Sequence, residues 1–125
     1  MSLGKVLIVD DEPEVRQMLQ EFLSGRGYYV LVAESGSAAL AALGADQPDL
    51  VLLDVAMPDM DGVETLRRIV ALQPSIPVIM VTANADIATT SKLLAMGAVD
   101  YIPKPFDLDY LDQAVSIQVA AAQDR

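Results

Sequence analysis

Three carboxylates in a row, Asp10, Asp11 and Glu12, follow directly on the apolar run "VLIV" and stop at Pro13. Like charges this close repel by about 4 kcal/mol per pair at ~4 Å and an effective dielectric constant of ~20. A buried strand gains nothing from such an ending, so the acids need a function or a counter-charge. A further aspartate, Asp54, ends the apolar run "DLVLL", Thr82 ends "PVIMV", and Lys104 stands just after "AVDYI". Three carboxylates gathered round one point are tolerable only with a cation among them. The chain has no histidine and no cysteine, which removes the commonest general base, the thiol nucleophile and the usual zinc ligands. A metal here is held by oxygen, which favours magnesium, calcium or manganese.

The elements that must bring these residues together alternate along the chain. Short apolar runs at 5–10, 28–33, 49–55, 77–82 and 98–102 read as strands covered on both faces. Between them, Val15, Met18, Leu19, Phe22 and Leu23 have helical spacing and end at Gly25 and Gly27. Residues 35–43 read as a short helix with Ser35 as N-cap, 63–72 as a third helix, about 86–96 as a weaker fourth, and Leu108 onward as the last. The alternation predicts an α/β fold: a single doubly wound, five-stranded parallel sheet in the flavodoxin-like order 2-1-3-4-5, with five helices. Right-handed crossovers then put every strand's carboxyl end on one edge. Asp10, Asp11, Asp54, Thr82 and Lys104 would all gather there. Each alone has a plainer role as a helix cap, turn former, strand residue or solvated charge; together, at the edge where such folds bind ligands, they are poorly explained that way.

At 125 residues, 53% of them hydrophobic, the chain is expected to form one domain with a sizeable core. No apolar run approaches the ~20 residues that cross a bilayer. The net charge of -10 argues against direct contact with nucleic acid. A soluble cytoplasmic domain is the expectation, with no membrane partner.

"IVDDEP", "LLDVAMPDMDG", "VTA" and "YIPKPF", in this order and at these intervals, make the chain resemble the receiver domain of two-component response regulators. The resemblance covers essentially residues 5–122, so that 1–125 reads as one receiver domain, either whole or cut from a longer regulator. It implies that Asp54 is the phosphoacceptor and that Asp10, Asp11, Asp54 and the backbone carbonyl of Ala56 hold Mg2+. It also implies that Thr82 and Lys104 contact the phosphoryl group, that Tyr101 reports the switched state with Thr82, and that the Lys104–Pro105 bond is cis. Implied partners are a sensor histidine kinase or phosphotransfer protein and an output domain or protein, making the domain a switch rather than an enzyme. Gly62 reads as permitting a left-handed turn beside the site. Ala56 and Asn84, both expected along the path of attacking water, depart from common forms, so the resemblance does not set the phosphoryl lifetime.

A small phosphohydrolase of the haloacid-dehalogenase type also uses an aspartate after a strand, but needs a second acid two residues on, where Ala56 stands. A flavin module would need a phosphate-cradling loop where "DDEPE" stands. A receiver-like module that only binds partners, without phosphorylation, is a third alternative. On the last helix, Leu108, Leu111, Val115, Val119 and Ala122 form the expected core stripe. Tyr110, Ala114, Ile117 and Ala121 form a second apolar line, read as half exposed or, with the fourth helix and fifth strand, as a face that packs against another copy (a homodimer) or an output partner.

Overall fold

The computed structural model describes residues 2–56, 61–83 and 86–123. The element order is β1 (Lys5–Val9), α1 (Pro13–Gly25), β2 (Tyr29–Ala33), α2 (Gly36–Ala45), β3 (Leu50–Asp54), α3 (Gly62–Leu72), β4 (Val78–Thr82), α4 (Ile87–Ala95), β5 (Asp100–Pro103) and α5 (Leu108–Gln123). All strand pairs are parallel, in the expected order β2-β1-β3-β4-β5.

Alternation along the central strands divides the core in two. Val6, Ile8, Leu50, Leu52, Ile79 and Val81 pack with Leu19 and Leu23 of α1 and with Leu111, Val115 and Val119 of α5. Leu7, Val9, Val51, Leu53, Val78 and Met80 pack on the other face with Leu43, Leu66, Ile69 and Leu93 of α2, α3 and α4. Every residue of β3 and β4 is buried, which is why these strands read as continuous apolar runs.

The local signals behave as their chemistry dictates. Ser35 caps α2 by accepting from Ala38 N–H at 3.1 Å, and Asp61 and Asp86 cap α3 and α4 in the same way. The N-cap of α1 is Glu12, with no side-chain cap bond and with Pro13 in the first turn. Neither Asp10 nor Asp11 is spent on capping.

Two expectations need correction. The strand expected from 98 begins at Asp100, because Gly97 adopts φ +115° and Ala98 N–H still bonds back to Leu93 at 3.1 Å. In α5, Leu108 is 41% exposed while Ala114 is buried. Ala114 lies three residues after Leu111 and next to Val115, so it shares their stripe; Leu108, the first residue of the helix, lines an open cleft with Val15, Met18 and Phe106.

Candidate functional site

Strand register decides what meets at the carboxyl edge. Val9 lies opposite Leu53, Asp54 opposite Val81, and Thr82 opposite Pro103. Asp10 and Asp54 are therefore the next residues on the face that carries Ile8 and Leu52. They continue an apolar stripe as carboxylates, and both are buried, Asp10 2% and Asp54 5% exposed. Carboxylate oxygens of Asp10, Asp11, Glu12 and Asp54 lie within 4.8 Å of one another.

Lys104 is the counter-charge. Its Nζ stands 3.3 Å from Asp10, 3.4 Å from Glu12 and 3.6 Å from Asp54. Lys104 N–H donates to Thr82 C=O at 2.8 Å, extending the sheet past Pro103, which has no N–H to offer. The Lys104–Pro105 bond is cis, as expected.

One ammonium faces four carboxylates here, and Asp54 is held above the ordinary carboxylate range. Burial pushes its pKa up to about 6, and the Asp10 charge adds to that; Lys104 and the Ala56 N–H pull the other way without cancelling it. For Lys104, burial alone would lower the pKa, but the Asp10 and Asp54 charges outweigh it and the net shift is upward. Asp54 is thus an ionisable, weakly solvated carboxylate beside a permanent cation. It opens into a cleft of about 250 Å³ lined also by Glu12, Val55, Ala56, Thr82, Ala83 and Lys104.

Gly62 is required here for a reason other than the expected one. Its φ is not positive, and it opens α3 after the Asp61 cap. It donates its N–H to Val55 C=O at 2.8 Å. A Cβ there would lie 2.1 Å from the Asp54 carbonyl oxygen, so only glycine lets α3 start this close to the end of β3.

The structure therefore brings Asp10, Asp11, Asp54, Ala56, Thr82 and Lys104 together. Tyr101 is elsewhere: it is half-buried and packs against the α2–α4 side of the core. Asn84 lies outside the described residues. Glu12 is a site residue that the sequence reading left without a role, although it was visible as the third acid of "DDE".

A family model described as the response regulator receiver domain matches residues 6–116. The chain is a response regulator receiver domain. It is 41% identical over 109 residues to the DNA-binding transcriptional regulator NtrC of Salmonella typhimurium, covering 87% of this chain and 23% of that protein. It is 40% identical over 114 residues to the regulatory protein AtoC of Escherichia coli, covering 91% and 25%. A CheY-like response regulator receiver domain protein from Methanospirillum hungatei superposes with a TM-score of 0.91 at 31% identity, covering 98% of both chains. The receiver domain thus spans about a quarter of the length of the regulators it matches. It is a signalling domain of the two-component phosphorelay type. Receiver domains generally bind Mg2+ at an acidic pocket, and this chain has an acidic cluster at Asp10, Asp11, Glu12 and Asp54. Among the described residues, no helix is long and apolar enough to cross a membrane.

Proposed function

We propose that this receiver domain accepts a phosphoryl group on Asp54 from a sensor histidine kinase or phosphotransfer protein and so controls an output partner. The observation that carries the reading is the buried Asp54 carboxylate, open to a cleft and 3.6 Å from Lys104. With a pKa of about 6, it is mostly ionised at neutral pH and needs no general base. An Asp54 oxygen attacks phosphorus in line, the bond from phosphorus to the donor nitrogen breaks, and the donor leaves with that electron pair. Lys104 faces the charge that develops on the phosphoryl oxygens, and Thr82 donates its hydroxyl to one of them. Asp10, Asp11, Asp54 and the Ala56 carbonyl are the groups that would hold Mg2+, which neutralises charge on the carboxylates and the phosphoryl oxygens when bound.

Movement of Thr82 toward the phosphoryl group lets Tyr101 shift inward on the neighbouring strand. The apolar residues exposed on α4, α5 and the link into β5 (Ile87, Leu94, Val99, Tyr110 and Ile117) then form the face that meets an output partner or a second copy. The domain works in this scheme as a cytoplasmic switch, not as a turnover enzyme. Incubation with a small-molecule phosphodonor, with and without Mg2+, tests the reading. The expected result is a mass gain of one phosphoryl group that needs Mg2+ and is lost in Asp54→Asn. Equal labelling of that variant would overturn it.

A further inference from the structure

The loop from β1 to α1 carries the acidic pair, and Asp10 is anchored at every polar group it has. Its N–H donates to Ala33 C=O at 3.1 Å, carrying sheet pairing one residue past β1. Its Oδ1 accepts from Glu12 N–H at 2.9 Å, closing a turn, and its Oδ2 faces Lys104 at 3.3 Å. The carbonyl is the remaining group, and it lies where the chain leaves the sheet. Arg16 takes it: Nη1 donates to Asp10 C=O at 2.7 Å. Arg16 is partly buried on the first turn of α1, six residues along the chain.

The peptide unit joining Asp10 and Asp11 is planar, so the Asp10 carbonyl and the Cα that carries the Asp11 side chain move as one body. We propose that Arg16 is a positioning residue for the divalent-cation site. By holding the Asp10 carbonyl it sets the plane of the Asp10–Asp11 peptide and keeps both carboxylates turned toward Asp54. A guanidinium suits the task, because it is always charged and makes a strong, directed bond to a carbonyl. The inference rests on the reading of these acids as a cation site.

Its sign separates it from a simple charge effect. A nearby positive charge repels Mg2+, so if charge alone counted, removing Arg16 would tighten binding. Positioning predicts the reverse. The test is calorimetric titration of Mg2+ into the wild-type domain, R16A and R16K, with thermal unfolding in chelator to confirm that each variant is folded. R16A is expected to bind Mg2+ at least about 10-fold more weakly, as when outer-sphere supports of metal ligands are removed. R16K keeps a donor that can reach a single carbonyl and recovers most of the affinity. If R16A does not fold, R16M, which keeps the apolar stem without a donor, replaces it in the same comparison. Affinity in R16A or R16M equal to or tighter than wild type overturns the proposal, as does a folded R16K no better than R16A. Absence of Mg2+ binding by the wild type would be a different failure, that of the cation site itself, and the role of Arg16 would fall with it.

Discussion

Asp54→Asn should make the metal-free domain more stable at neutral pH, although it removes the residue on which the function is proposed to rest. Asp54 has a pKa of about 6 in the folded chain against an ordinary 3.8. At about 1.36 kcal/mol per pH unit, that difference corresponds to up to ~3 kcal/mol, an upper figure because the carboxylate opens to a wet cleft. A raised carboxylate pKa means that the folded state holds this proton more tightly than the unfolded one. The stabilisation is therefore fully present below pH 3.8 and is lost as pH rises through 6. Asparagine carries no such charge, and Lys104 keeps Asp10 and Glu12 as partners in the variant. Thermal unfolding of both proteins in chelator, from pH 4 to 8, isolates the effect as the difference between them. That difference should widen with pH in favour of Asp54→Asn, reaching on the order of 10 °C in Tm near pH 7. A gap that stays flat between pH 4 and 7, or an Asn variant less stable than wild type at pH 7, would show that the Asp54 charge is not under strain.

Mg2+ should raise the stability of the wild-type domain by roughly 2.7 kcal/mol at ~100-fold its dissociation constant, and Asp11→Asn should lose most of that gain; thermal unfolding without any Mg2+ dependence would count against the site. Gly62→Ala should cost about 1–3 kcal/mol, since its Cβ would lie 2.1 Å from the Asp54 carbonyl, and urea unfolding measures it. Thr82→Ala should still take up phosphate, yet the beryllofluoride-induced NMR shifts around Tyr101 should vanish; their persistence would break the proposed coupling. Ile117→Glu, at a side chain 64% exposed, should leave folding and phosphorylation intact but weaken phosphorylation-dependent self-association in sedimentation. A wild type that stays monomeric after activation leaves that face to a heterologous partner.

The fold was legible because its signals are local and repeated. Apolar runs of strand length, alternating with helical spacing, have few parallel-sheet solutions, and the handedness of crossovers removes most of the rest. The site was legible for a related reason: Asp10, Asp54, Thr82 and Lys104 are strand-end residues, so topology alone brings them to one edge. What stayed hidden depends on contacts across the chain. Gly62 reads as a turn glycine after "PDMD", and nothing local shows that the Asp54 carbonyl lies where its Cβ would be. Arg16 reads as the polar face of α1, since a bond to a backbone carbonyl leaves no mark in the partner's residue type. Ala114 and Leu108 exchanged roles because helical spacing gives the phase of a stripe but neither its width nor where along the helix it begins.

In the proposed scheme, the division of the core into two faces separates the site from its readout. Asp10 and Asp54 continue the stripe that packs against α1 and α5, as Lys104 does in step with Ile102. Tyr101 belongs to the opposite stripe, with Met80 beside it on β4, and by the same alternation so does Thr82. A charge change at Asp54 therefore falls on one face, while Tyr101, its proposed reporter, packs on the other. Thr82 is the residue common to both: its side chain lines the Asp54 cleft and its carbonyl accepts from Lys104 N–H. Packed cores move between discrete arrangements rather than bending smoothly, so under this proposal a short pull at this strand end would select one of them. In the proposed scheme, the hydroxyl at position 82, where the two stripes meet, is what would let chemistry on one face be read on the other.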